Sequence, residues 1–566
     1  MLNKTFLIIC LGLILLNITI YGQTLSHNMV YDEEKDAAVI FQDGLTVPNL
    51  KKVFIESVQF YTLWEPVAFF TSMLGAELFG NDPGPRHMIN LFLHIASTLL
   101  LFVCFRKMTA AIWPSALVAA LFAAHPVNVE AVAWLAFHDS SLNLFFISLS
   151  LLAYIQYTRT ASRLSYALLI ATFLCSMLAC PRIMAFPFLL LFLDYWPLDR
   201  RPHHSSAARP CRGKFQINFY LREKIPLFAI AFIYSAIMIL VKYRHPDMRS
   251  VNIEYLDILV SYAAYIVKIF LPASITANRY MCPFHPSAWQ IIASAGFLLL
   301  ISGLIMMTAG KNRRYLVVGW LWFLFALAPA VIMNAGKHFI ITERYAYLGS
   351  IGIFIIIAFG LKDMVAARRL NKTTATLIAT IMLVFFTVTA WQHTRYWKDS
   401  LTLLESTIRR LPEELICHDT AGGIFLENNR IRDAIRHFQT ALRRQPESPS
   451  LHLNLGIAYQ ADNALDKSLR HLKKAVSLDP ENAKAYHNLG NVLFESGEID
   501  QATDCYKKAL RINPEAYQTY NSLATCLARR GEIRKATACL EKALEINPEY
   551  RSARENLRIL QRHAAE

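Results

Sequence analysis

The sequence predicts an all-α protein, a polytopic membrane helix bundle of about eleven spans followed by a solenoid of repeated helix pairs. Three observations predict it. Of 566 residues, 54% are hydrophobic and only 17% charged, so a large share of the chain is solvated by lipid rather than water. Apolar runs long enough to cross about 30 Å of hydrocarbon recur through residues 1–396. Residues 397–566 then repeat with a period of 34.

The formal net charge of +15 invites a nucleic-acid reading, which its distribution argues against. Residues 1–396 hold 32 basic and 19 acidic side chains, whereas residues 397–566 hold 25 and 23. The excess therefore sits in the apolar part, where it records topology. The ten cysteines show no close pairing, so neither a CxxC metal site nor a secreted disulfide framework is indicated.

The first apolar run, residues 5–21, follows Lys4 and lacks a small-x-small cleavage site, which favours an anchor over a signal peptide. Further runs lie near 88–105, 111–124, 142–157, 164–180, 183–197, 225–241, 256–272, 289–308, 315–333, 345–361 and 373–391. Lys and Arg of short loops stay on the cytoplasmic side. With Lys4 inside, Arg106 and Lys107, Arg159 to Arg163, and the basic segment 199–224 also fall inside. The later loops obey the rule only if 256–272, which carries Lys268, is interfacial or re-entrant. Eleven spans remain, and 23–87, 125–141, 334–344 and the tail share the external side.

Pro412, Pro446, Pro480, Pro514 and Pro548 are spaced by 34 residues, as are Ala441, Ala475, Ala509 and Ala543, and Gly422, Gly456, Gly490 and Ala524. That is the tetratricopeptide-repeat period. Units are expected at 415–448, 449–482, 483–516 and 517–550, after a half-unit from Asp399 and before a capping helix at 551–566. Such a stack offers a concave surface to a peptide or protein; a structural spacer is the alternative.

Candidate chemistry collects on the external face. Asp32, Glu33, Glu34 and Asp36 follow the first span, either as catalytic carboxylates or as a solvated charge run. The loop HPVNVEAVAWLAFHDSS carries His125, Glu130, His138 and Asp139, and its apolar Val127, Val129, Val132 and Trp134 turn Glu130 towards water. Arg182 lies in a tight junction between spans, and Arg344 stands between Glu343 and Tyr345 at the start of the next-to-last span. A planar guanidinium suits a lipid-linked phosphate, with snorkelling as the alternative. His87, Asn90 and His94 share one helix face, lining a cavity or bonding between helices.

The segments GPRHMINLFLH (84–94), HPVNVEAVAW (125–134), LLLFLDYWPL (189–198), ERYAYLGSIG (343–352) and RYWKDSLTLL (395–404), followed by the repeats, resemble the transmembrane and tetratricopeptide-repeat-containing O-mannosyltransferase-like family of the glycosyltransferase C superfamily, over nearly the whole chain. The resemblance implies an inverting transfer of a sugar, mannose, from a polyprenyl-phosphate carrier to a hydroxyl of a protein or other acceptor. Tyr31-Asp32-Glu33 matches the family's first-loop acidic motif, which makes Asp32 and Glu33, with Glu130, the implied catalytic carboxylates. Arg182, Arg344, His125 and His138 would hold the donor phosphate, and His87, Asn90, His94, Asp139 and Tyr345 would line the cavity.

The departures from the family pattern are Glu65 where a basic residue precedes the Pro, Asn128 for a second His, His138 in an Arg-Lys-Asp position, and Cys180 for Lys. They define the alternative of a catalytically degenerate, membrane-anchored repeat scaffold. The sequence points to no definite cofactor, and a divalent metal is compatible. The expected partners are the lipid-linked donor, an acceptor bound by the repeats and the bilayer, with no nucleic acid. Since no Asn-x-Ser/Thr sequon falls in the external loops or repeats, the expected setting is a bacterial inner membrane with periplasmic repeats. In a eukaryote it would be the endoplasmic reticulum, with lumenal repeats.

Overall fold

The computed structural model describes residues 4–30, 45–56, 64–80, 82–135, 138–200, 215–244, 256–272, 286–310, 313–334, 342–410 and 415–565. Among them every regular element is helical. The chain divides into two compact units, Met1–Thr407 and Ile408–Glu566.

The membrane unit comprises α1 (Lys4–Tyr21), the short α2 (Val47–Lys51), α3 (Pro66–Phe79), α4 (Pro83–Thr109), α5 (Ile112–Ala124), α6 (Val129–Ala133), α7 (Asp139–Thr160), α8 (Arg163–Ala179), α9 (Phe186–Tyr195), α10 (Phe215–Arg244), α11 (Asp257–Phe270), α12 (Ala288–Thr308), α13 (Arg314–Asn334), α14 (Ala346–Ala366), α15 (Lys372–Tyr396) and α16 (Ser400–Arg410). Among the described residues, eight helices can cross a membrane by length and composition, and α5 with its continuation Pro126–Ala133, bent by 55° at His125, makes a ninth.

Two of the eleven expected spans are shorter. Helix α8 has 17 residues, and α9, confined between Pro187 and Pro197, has 10, about 15 Å of rise. Helix α11 has 14 residues and rises about 21 Å. Its apolar residues gather on one side, yet Asp257 and Lys268 are buried. Helix α3 goes beyond the sequence reading, which leaves 23–87 as a loop. Its run VAFFTSMLG starts behind Pro66 at the first helical turn, where a missing N–H costs nothing.

Small residues set the closest packing. A Cβ on Gly319 of α13 would lie 2.5 Å from the Gly352 carbonyl oxygen of α14, so these two backbones touch directly. That contact fixes the start of α14, and with it Arg344 and Tyr345.

The second unit is built of α17 (Leu415–Glu427) with α18 (Ile431–Arg444), α19 (Pro449–Ala461) with α20 (Leu465–Leu478), α21 (Ala483–Glu495) with α22 (Ile499–Ile512), α23 (Tyr517–Arg529) with α24 (Ile533–Ile546), and the terminal α25 (Arg551–Ala565). Each pair lies within one expected repeat. A Cβ on Gly422, Gly456 or Gly490 would meet the side chain of Phe438, Leu472 or Tyr506 at 2.4, 2.5 and 2.7 Å. These side chains are themselves 34 residues apart, and Ala441, Ala475, Ala509 and Ala543 are all but fully buried. The period is thus a packing period, in which one glycine receives one large side chain from the partner helix.

Candidate active site

Three turns meet at one end of the membrane bundle. Each breaks its helix for a local reason. His125-Pro126 bends α5 into α6, Pro181 opens the 3-10 turn Pro181–Ile183 after α8, and the 3-10 turn Glu343–Tyr345 precedes α14.

Arg344 and Glu130, both about 4% exposed, pair across the first and third turns, Nη1 to Oε1 at 2.6 Å. The second oxygen of Glu130 accepts from the backbone N–H groups of Glu343, at 2.7 Å, and Arg344, at 3.3 Å. Beside them Lys268 of α11 pairs with Glu343. Arg182 pairs with Asp139 at the start of α7 and donates through Nε to the Cys180 sulfur at 2.9 Å. Both guanidinium carbons stand 5.2 Å from the centre of the Tyr345 ring, and Arg344 also lies 5.4 Å from Trp134. Between them is a cavity of about 40 Å³ lined by Asn143, Cys180, Arg182, Arg344, Tyr345 and Tyr347. That volume holds ordered water but no sugar.

Glu65 adjoins this cluster. Its Oε1 is shielded from solvent without a hydrogen-bond partner. Burial first, then repulsion from Asp139, raises its pKa to about 8 against the opposing pull of Arg182 and Arg344. Near pH 7 it is chiefly a neutral acid. Ligand atoms of Glu65, Asp139 and Cys180 lie within 4.8 Å of one another, the one group of described residues with the composition of a metal site. Arg182 is already bonded to two of the three, so its guanidinium supplies the positive charge that a divalent ion would bring.

Several expected roles change in this geometry. Glu130 does not face water, because its oxygens hold the turn of Arg344 in place. His125 is fully buried with both ring nitrogens engaged, Nε2 with the Ile269 carbonyl at 2.8 Å and Nδ1 accepting from Val127 N–H at 3.1 Å. It pins α11 to the α5–α6 bend rather than offering a donor to phosphate. His138 Nε2 meets Thr71 Oγ1 at 2.9 Å and the Ala68 carbonyl at 2.8 Å, which ties α3 to the start of α7.

Of the cavity set, Tyr345 lines the space and Asp139 holds Arg182. His94 Nδ1 bonds the Tyr347 hydroxyl at 2.6 Å, Asn90 donates to the Val132 carbonyl at 3.4 Å, and His87 packs edge-on against His27 with neither ring nitrogen bonded. These three stand in helix interfaces. Asp32 and Glu33 lie outside the described residues.

Sequence reasoning misses Lys268 as the partner of Glu343, and it sees Glu65 only as a departure. The available signal for Lys268 is a cation inside an apolar helix that also carries Asp257.

Family models of the tetratricopeptide repeat match residues 483–515 and 517–550, and a TPR repeat model matches 461–497. Among curated proteins the chain is 23% identical to human protein O-mannosyl-transferase TMTC1 over 425 residues, 66% of this chain and 47% of that one. It is 23% identical to mouse protein O-mannosyl-transferase TMTC4 over 432 residues, covering 66% and 57% of the two chains. With protein O-mannosyl-transferase F38B6.6 of Caenorhabditis elegans it shares 22% over 400 residues, covering 68% and 54%. The chain thus spans about half the length of the curated relatives it matches. Similar solved structures include the tetratricopeptide-repeat protein TTC0263 of Thermus thermophilus, with 24% identity, 31% of this chain, 94% of that chain and a TM-score of 0.27. MamA gives 23%, 26%, 88% and 0.25. The chain is a distant homologue of proteins named protein O-mannosyl-transferases, and it carries tetratricopeptide repeats.

Proposed function

We propose that the membrane unit is an inverting glycosyltransferase that moves a sugar, mannose by homology, from a polyprenyl-phosphate carrier to a hydroxyl of a protein acceptor bound by the repeats. The observation that supports this reading is the convergence of Arg182 and Arg344, each 5.2 Å from the centre of the Tyr345 ring, on one cavity. Two planar forks at one place suit a phosphate.

In the structure the carboxylates of Asp139 and Glu130 pair with those forks. Donor binding exchanges carboxylate oxygens for phosphate oxygens, and the cavity widens as the partners separate. Asp32 takes the acceptor proton, the acceptor oxygen attacks the anomeric carbon, and the carrier phosphate leaves with the bonding pair. Because phosphate is a good leaving group, no strong acid is needed. Glu33 and Glu130 orient the reactants, and Glu65, held neutral, is a hydrogen-bond donor for a phosphate oxygen. The repeats and the external loops share the non-cytoplasmic side of the membrane in this reading.

The test is transfer of radiolabelled mannose from polyprenyl-phosphate mannose to a Ser/Thr-rich peptide by the purified protein in nanodiscs. Asp32→Asn lowers turnover at least a hundredfold with the fold retained, as does Arg344→Met combined with Glu130→Leu, and full activity in either protein overturns the assignment. A second reading, the degenerate anchored scaffold, draws on the carboxylate partners that Arg182, Arg344 and Lys268 already have. It predicts that the wild-type protein binds no lipid-linked donor at all.

A further inference from the structure

A second cavity lies in the membrane unit, built by a different part of the chain. The turn after α1 and the elbow between α15 and α16 enclose about 520 Å³, lined among others by Gln23, His27, Gln392, Arg395, Lys398 and Thr402. The walls are fixed. Asn28 N–H donates to the Lys398 carbonyl at 2.8 Å, Gln23 Nε2 donates to the Trp391 carbonyl at 3.0 Å, and Trp397, 1% exposed, packs on Trp134 at 5.2 Å between ring centres.

Two cations, Arg395 and Lys398, stand at its rim, and among the described residues that line it none is a carboxylate. The nearby Asp399 caps α16 by accepting from Thr402 N–H at 2.7 Å. His27, only 4% exposed, lines the same cavity, and its Nδ1 is shielded from water without any partner. A buried polar atom left unsatisfied is costly and marks a place where a ligand completes the bonding. Leu25 and Trp391, next in sequence to the lining residues Ser26 and Gln392, are exposed, at 44% and 39%. Arg395 stacks on the Trp391 ring at 5.0 Å.

We propose that this cavity is an anion site that takes a phosphate group, with room beside it for a polyol such as glycerol or a sugar. Arg395 and Lys398 supply the charge; Gln392 and Thr402 supply side-chain hydrogen bonds to hydroxyls and phosphate oxygens, and Gln23, whose amide N–H groups donate to the Ile20 and Trp391 carbonyls, accepts from a hydroxyl through Oε1. The volume lies within the usual range of small-molecule sites and exceeds what a bare phosphate fills. The site is distinct from the Arg182 and Arg344 cavity and does not depend on the function proposed for it.

The test uses the full chain in detergent micelles. Native mass spectrometry compares retention of phosphatidylglycerol with that of phosphatidylcholine, and calorimetry measures binding of glycerol 3-phosphate and inorganic phosphate. Preferential retention of phosphatidylglycerol, reduced about a hundredfold in Arg395→Gln/Lys398→Gln, supports a lipid headgroup. Binding of glycerol 3-phosphate or phosphate that the same double variant weakens, without lipid preference, supports a soluble phosphate. Melting of the ligand-free variant within a few degrees of wild type shows that it folds. If it does not fold, Gln392→Leu with the cations intact must weaken binding about tenfold. Equal retention of both lipids with no binding of either soluble anion overturns the proposal, as does undiminished binding in a folded double variant.

Discussion

Glu130 and Arg344 stand 214 residues apart in sequence, yet each is the other's main charge partner. In a buried pair, removing one member costs far more than removing both, because the remaining charge has lost its solvent as well as its partner. Glu130→Gln should therefore destabilise the membrane unit by about 3 kcal/mol or more, read as a fall in melting temperature by scanning fluorimetry. Glu130→Leu/Arg344→Met should recover much of that loss while transfer stays absent, which separates the structural role of the pair from the phosphate-binding role of Arg344. A single variant that melts like wild type would show that the pair holds nothing. Glu65 gives a pH signature. Its pKa is raised by burial and by Asp139, so between its unfolded value near 4.5 and its native value of about 8 the native state binds more protons than the unfolded state. Stability then falls as pH rises through that window. Glu65→Gln should remove this contribution, melting like wild type near pH 4.5 and higher than wild type at pH 8 and above. Arginines at a membrane interface are conspicuous in a sequence because they are costly there, so Arg182 and Arg344 are legible without coordinates. Which carboxylate each one meets is not, since Asp139, Glu130 and Glu343 stand at similar depths and the turns alone decide between them.

At the scale of elements, the repeats are the most legible part of the chain. Their period fixes both helix length and the residue facing each glycine. Leu472 fills the space above Gly456, where a Cβ would meet its Cγ at 2.5 Å. Gly456→Val should push α19 away from α20 and cost about 1–3 kcal/mol, measured as faster amide exchange in that pair while α23 and α24 keep their protection. Loss confined to a distant pair would refute the local packing argument. Between α17 and α18, His418 and His437 meet Nδ1 to Nδ1 at 2.8 Å, and the same contact recurs one repeat later between His452 and His471 at 3.0 Å. Burial, and then the charge of His418, lower the pKa of His437 to about 4. The unfolded chain takes up this proton near pH 6.5, whereas the native repeat resists it down to about 4, so stability contributed here is complete above pH 6.5 and declines through that interval. His437→Gln should flatten the decline, as followed by amide exchange of α17 and α18 at about pH 7 and about pH 5. The membrane helices are less legible at their ends. Periodicity marks an apolar run, but α9 is cut to 10 residues by prolines on both sides, and α3 is hidden in a segment with too few apolar residues to register as a span.

Across the whole membrane unit, charge is concentrated at two ends separated by apolar helix. One end carries Glu65, Glu130, Asp139, Arg182, Lys268, Glu343 and Arg344. The other holds a second paired cluster, in which Lys224, 1% exposed, bonds Asp194 at 2.6 Å and Tyr154 at 2.8 Å, and Arg200 bonds Glu223 at 2.8 Å. Arg159 bonds the Lys107 carbonyl, and Arg314 pairs with Asp199 at 2.9 Å at that same end. The basic loops assigned to the cytoplasm by charge therefore belong to one end of the bundle, as the positive-inside rule requires of a single orientation. The run 256–272 decides the rest. If it crossed the bilayer, every later loop would change sides, and Lys311, Arg313 and Arg314 would be external. Near the C-terminal end of α11, Lys268 meets Glu343 at the end of the bundle that carries Arg344. Trp397, packed on Trp134, lies at the end of Arg344, and the proposed function expects the repeats on that side of the membrane. A single cysteine placed at Gln445 of the repeats, in a background without other cysteines, should react with a membrane-impermeant maleimide from outside intact cells or inverted lumenal vesicles. A cysteine at Arg313 should react only after the membrane is opened. The opposite pattern would place the repeats in the cytoplasm, away from any externally delivered acceptor, and the glycosyltransferase reading would lose its geometry.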